Sequence, residues 1–273
     1  MGMRFTLFVT LVAILALASM GNAQADQPTS PEKLGTVNFA TSCSIAAQPQ
    51  FNRAVALMHS FQYARAVEAF QTILVSDPSY SMAYWGIALS SWGNPFAAGL
   101  KAQTQFDQGL KAVTQARVAN PKTERERAYV EAVAHLFTDT ARTDQRTRVL
   151  AYKSAMAAVS AAYPEDTEAA IFYALALASA ADPADKTNTR QLKAGAILEA
   201  LYARYPDHPG LANYIIHTYD VPPLAARAAA AAQHYSEIAP STPHALHMPS
   251  HTFTRLGEWQ ASIDANIASA ASA

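Results

Sequence analysis

The residues best suited to chemistry lie close together near the C-terminal end of the chain. In "HALHMPSHTF", His244, His247 and His251 follow one another at intervals of three and four residues, a spacing that stacks side chains on one face of a helix. Imidazole nitrogen ligates Zn, Cu, Fe and Ni, at roughly 2 Å per bond for zinc. It also hydrogen-bonds carboxylates and peptide groups. Spacing alone therefore leaves three uses open: a metal site, a surface that grips a non-metal ligand, or packing. Pro249 lies inside the run, lacks a backbone donor and disfavours helical angles at Met248, so a kink or a break is expected between His247 and His251. Enzyme signatures are thin. The sequence carries no glycine-rich phosphate loop, no HExxH helix and no nucleophile elbow, and a non-enzymatic binding role is favoured over catalysis.

The elements that must position these rings are marked by prolines. Pro78, Pro121, Pro164, Pro206 and Pro240 recur at intervals of 43, 43, 42 and 34 residues, each followed by an apolar helical pattern. They divide the chain into units of about 47–80, 81–123, 124–166, 167–208, 209–242 and 243–273. Extra length in the middle units falls in "GNPFAAGLKAQTQ", "TDTARTDQR" and "SAADPADKTNT", whose Gly, Pro, Asp and Thr content suits loops. In "FQYARAVEAFQTILVSDP", Tyr63, Ala66, Phe70 and Pro78 stand where the second helix and closing proline of a paired-helix unit are expected. Ala66, Ala194 and Ala228 recur where two helices must approach closely.

These residues and the 34-residue interval resemble the tetratricopeptide repeat family, whose unit is a helix–turn–helix of that length. The stretches "AYWGIALSSW", "DHPGLANYIIHTYD" and "APSTPHALHMPSHTFTRLGEW" are also similar to exported bacterial repeat proteins of that family with no assigned activity. The resemblance implies an all-α solenoid over 47–273, with first helices lining a concave groove. It implies that the second, fifth, ninth and twelfth positions of a unit face that groove. In the sixth unit these include His244, His247 and His251. In the fifth they are Gly210, Asn213, His217 and Asp220, and in the second Trp85 and Trp92 take the fifth and twelfth places. His217 and His251 are thus equivalent positions on neighbouring helices, which pack about 8–10 Å apart. A protein or peptide partner is the default ligand of such a groove. The alternative is a transition metal (Zn, Cu or Fe) held by His217, His244, His247 and His251, either simply bound or serving a metal-dependent enzyme.

Other roles compete at single positions. Asp220 precedes "VPPLAARAAAAA" and is better placed to cap that helix than to ligate. Trp85 and Trp92, seven apart on one face, suit the core better than a ligand surface. His59 and His135 read as packing residues, His208 and His234 as surface or packing residues, and Cys43, with no cysteine to pair with, as a small buried apolar group.

Composition and the N-terminus set the context. With 51% apolar and 15% charged residues in 273, the chain can bury a substantial core. Arg4, the apolar "FTLFVTLVAILALA" and the small "AQA" ending at Ala25 read as a signal peptide at 1–25, followed by an N-terminal segment at 26–46. The apolar run falls short of the about 20 residues that a spanning helix needs. An exported protein without a transmembrane anchor is expected, in the periplasm or outside the cell, with its partner in the cell envelope. After cleavage 19 basic residues face 21 acidic ones, so nucleic acid is excluded as a natural partner. The sixth unit ends at "ASAASA" without a polar capping helix, which suggests that more chain or another chain covers that end.

Overall fold

The computed structural model describes residues 32–273 apart from Ala98; the expected signal peptide lies outside the described residues. Residues 33–273 form one compact unit. It is all helical, and among the described residues the helices follow one another as hairpins. The first hairpin is α1 (Gln48–His59) with α2 (Tyr63–Ser76), the second α3 (Ser81–Trp92) with α4 (Gln103–Val118), and the third α5 (Glu124–Ala134) with α6 (Gln145–Ala162). The fourth is α7 (Thr167–Ser179) with α8 (Thr189–Tyr202). In the fifth, α9 (Pro209–Thr218) pairs with α10 (Ala229–Ile238), which a 3-10 turn at Ala225–Ala228 introduces. The sixth sets α11 (Pro243–His247) and α12 (Pro249–Leu256) against α13 (Trp259–Ala271).

Local chemistry explains many of these ends. Thr123, Asp144 and Asp166 cap α5, α6 and α7 by accepting from the backbone N–H of Glu126, Thr147 and Ala169, which satisfies donors a helix start leaves unpaired. Prolines open α9, α11 and α12, where the missing N–H has no intrahelical partner to lose. Neighbouring helices approach closely because small residues receive large ones. A Cβ on Gly86 would run into the Phe70 ring, and one on Gly195 into the Tyr219 hydroxyl.

The array is curled tightly. Helix α1 packs on α3, α3 on α5, α7 on α9 and α9 on α12, and α1 also meets α9. Residues 33–42 form an extended strap that ties the array together: Lys33 N–H donates to Ser241 Oγ at 2.8 Å and Thr36 N–H to Asp207 O at 2.9 Å. The strap buries Phe39, whose ring lies 5.6 Å from Trp85 and 5.2 Å from Tyr129. Trp85 in turn meets Phe172 at 5.4 Å, edge to face.

The inner face of the solenoid is therefore filled by its own aromatic core. Trp85, 1% exposed, belongs to that core. Trp92 is buried against Phe106 and Phe137. Trp85 is enclosed by the rings of that core, whereas Trp92 also forms part of the wall of an apolar cavity with Met58, Tyr63, Tyr152 and Tyr214. At the other end, α13 turns Trp259, Ile263 and Ile267, four residues apart, to solvent. No helix of the described residues is long and apolar enough to cross a membrane.

Candidate functional site

Four histidines come together where α9 meets the sixth hairpin. Going round the four rings, the centroids are 5.6 Å apart for His217 and His244, 6.4 Å for His244 and His247, 4.9 Å for His247 and His251, and 6.3 Å for His251 and His217. Pro249 breaks the helix as expected, ending α11 at His247 and opening α12, but the three rings stay together. Met248 keeps helical angles (φ −56°, ψ −33°), and the His251 N–H donates to Met248 O at 3.1 Å. The chain passes through Pro249 with one tightened turn, so His244, His247 and His251 stay on one side.

The rings form two pairs with different chemistry. His217 and His244 are the inner pair, with Nε2 atoms 3.4 Å apart. Phe96 stacks on His217 at 4.8 Å and Phe61 stacks on both rings, at 5.0 and 4.9 Å. Phe61 reaches them from the turn after α1, where it adopts φ +56°, a left-handed conformation that costs a bulky residue on the order of 1–3 kcal/mol. Burial pushes the His217 pKa well below the usual imidazole range and takes His244 down to about 3, and the neighbouring histidines add to both shifts. Both rings are neutral near pH 7. Asn213 fixes the proton of His244: its Nδ2–H donates to His59 O at 2.8 Å, which leaves Oδ1 to accept from His244 Nε2 at 3.2 Å.

The outer pair is arranged differently. His251 Nδ1–H donates to Asp220 Oδ2 at 2.9 Å, and Arg255 Nε–H donates to Asp220 Oδ1 at 2.9 Å. Burial by itself would raise Asp220, but His251 and Arg255 outweigh it and hold the carboxyl below its ordinary range. Asp220 therefore orients His251 and does not cap the following helix. The polypeptide runs on through a turn, and the 3-10 segment starts only at Ala225. His247 Nδ1–H donates to Asn266 Oδ1 at 2.8 Å, and Asn266 is oriented by its own Nδ2–H bond to Ser262 O at 2.9 Å. With both Nδ1 atoms committed as donors, the Nε2 lone pairs of His247 and His251 face each other at 3.1 Å. Two acceptors at that distance need a shared proton or a cation between them.

A second cluster lies deeper, built from residues the sequence pattern assigns to packing or to a turn. His59 ends α1, Glu168 stands in the first turn of α7 and His208 precedes α9. His59 Nε2 lies 2.9 Å from Glu168 Oε2, and His208 Nε2 lies 2.9 Å from Glu168 Oε1. All three are buried, His208 included, although its "DHPG" setting suggests a surface turn. Burial alone would raise the Glu168 pKa, but the two imidazoles outweigh it and hold the carboxyl far below its ordinary range. Burial lowers His59 despite its carboxylate partner. Among the described residues, this cluster brings three His, Cys, Asp or Glu ligand atoms mutually within 4.8 Å. The sequence signal was faint: Glu168 is one acidic residue in a helix start, where the helix dipole alone would favour it.

These features define an all-α helical-hairpin solenoid with two histidine clusters. No protein-family model and no curated protein sequence matches the chain. Among solved structures it is similar to PilW, described as a widely conserved type IV pilus biogenesis factor. The likeness has a TM-score of 0.44 and 16% identity, over 82% of this chain and 91% of that one.

Proposed function

We infer that this is an exported helical-repeat protein that binds a transition-metal ion where α9 meets the sixth hairpin. His247 and His251 would hold the ion through Nε2, with Asp220 and Asn266 fixing the two rings and His217 and His244 forming the inner wall. The observation that carries this reading is the pair of Nε2 atoms facing each other at 3.1 Å, each ring anchored by an oxygen on Nδ1. Such outer partners are the usual support of a ligating imidazole, and a divalent ion about 2 Å from each nitrogen matches that separation. The composition of the set, imidazoles without thiolates, suits Zn, Cu or Fe. Export rests on the leader pattern at 1–25.

The test is elemental analysis of untagged protein purified from its native compartment, beside H247A/H251A. The double variant should lose about one equivalent of metal relative to the native chain. Equal metal content in the two proteins sinks the reading.

Recognition of a protein partner is a second reading, with separate support in the solvent-facing Trp259, Ile263 and Ile267 on α13. A stripe of this kind matches the apolar side of another helix. Capture from an envelope extract should weaken when Trp259 and Ile263 are replaced by serine, and an unchanged capture profile argues against it.

A further inference from the structure

We propose that His59, Glu168 and His208 form a second metal site, distinct from the inferred groove site and independent of it, that takes a divalent transition-metal ion of the zinc class. Two imidazoles and one carboxylate are a ligand set that such ions accept. Here the set comes from three hairpins, with Glu168 separated in sequence from His59 by 109 residues and from His208 by 40.

Three features of the surroundings fit an ion between these groups. First, His208 Nδ1 is buried and has no partner. That ring is anchored through Nε2 alone, so the proton or cation between Nε2 and Glu168 fixes its place. Second, the cluster closes only because position 210 is glycine. A Cβ there would lie 2.6 Å from His59 Nδ1 and 3.1 Å from His208 Cε1, so the backbone has been cleared to let both rings reach one carboxylate. Third, an entry path exists. A cavity of about 300 Å³ is lined by Glu168 and His208 together with Thr36, Asn38, Thr167 and Asp207. It gives room for water on the ion's outer side, and His59 is held from behind by the Tyr214 hydroxyl on Nδ1 at 2.8 Å and by Phe172 stacked at 5.0 Å. The 2.9 Å separations between each Nε2 and its carboxylate oxygen are those of neighbouring ligands around an ion with bonds of about 2.0–2.2 Å.

The experiment removes the groove first. Full-length H247A/H251A, stripped with chelator and dialysed, is titrated with Co(II) and followed by its visible d–d absorption. Binding of about one equivalent is expected, abolished by adding E168Q and weakened at least tenfold by adding H208Q. Circular dichroism of each variant and the rise in melting temperature on adding Zn(II) serve as readouts that do not require the variants to be equally stable. A groove-less protein that binds no Co(II), or one whose binding survives both E168Q and H208Q in folded form, overturns the second site. Loss of metal only on replacing His247 and His251 would leave the groove reading standing and this one refuted. Loss only on replacing Glu168 and His208 would support the deep site and refute the groove reading.

Discussion

Replacing Gly210 by alanine tests the deep cluster through stability alone. On an exposed helix, glycine to alanine stabilises by about 0.5–1 kcal/mol. At position 210, in the first turn of α9, the added methyl would meet His59 Nδ1 at 2.6 Å and Cγ at 2.8 Å. The His59 ring cannot retreat freely: Phe172 stacks at 5.0 Å on one side, and both ring nitrogens are bonded, to Tyr214 and to Glu168. Overpacking of a well-filled interior costs roughly 1–3 kcal/mol, which outweighs the propensity gain. For a chain of this size each kcal/mol moves the midpoint by about 2–4 °C, so a net loss of up to about 2.5 kcal/mol should lower the melting point of metal-free Gly210→Ala by up to roughly 10 °C. Urea unfolding should show the lower midpoint with an unchanged slope. A variant more stable than the native chain by the full helix gain of about 0.5–1 kcal/mol would show that His59 does not lie against Gly210 and would remove the geometric basis of the cluster.

Other outcomes follow from the groove. Asp220→Asn leaves one acceptor oxygen where His251 and Arg255 now use two, and competition with a chromophoric chelator should show zinc affinity falling about 10–100-fold; Arg255→Ala, which leaves the His251 bond in place, should fall less. In metal-free protein, stability should decline as pH drops below about 6.5. His217 and His244 are held below their unfolded pKa, His244 at about 3, so the unfolded chain takes up protons in that window while the folded chain does not. The slope approaches 1.4 kcal/mol per pH unit for each such ring. Glu168 and Asp220, held low, add their own loss only below about pH 4.5. Denaturant midpoints at pH 7 and pH 5 that coincide would contradict buried neutral rings. Phe61→Gly relieves the positive φ but removes the stacked ring from His217 and His244; NMR titration should show both histidine pKa values rising toward 6.5.

Much of the architecture was legible because its signals are local. Pro78, Pro121, Pro164, Pro206 and Pro240 stand just before α3, α5, α7, α9 and α11, since a proline cannot continue a helix but is tolerated where one begins. The equal 34-residue step from His217 to His251 places one ring beside the other for the same reason: two successive units of equal length return the chain to the same side. Met248 shows the limit of such rules, for it keeps right-handed helical angles before a proline although the helix itself breaks there.

The run of helical hairpins and the row of histidines on one side of the last of them follow from residue order and spacing along the chain. The tertiary structure alone decided how far the array curls. Because α1 comes round to meet α9, Trp85 and Phe39 close the inner face, Phe61 reaches His217 and His244, and His59 arrives at Glu168 and His208. Asp220 turned from an expected cap into the partner of His251 and Arg255 for a similar reason, since a carboxylate takes the strongest donors within reach, and those lie 31 and 35 residues further along the chain. Curl is the sum of small angles at every helix–helix contact, set by how each side chain fills its neighbour's groove, and no spacing along the chain records that sum.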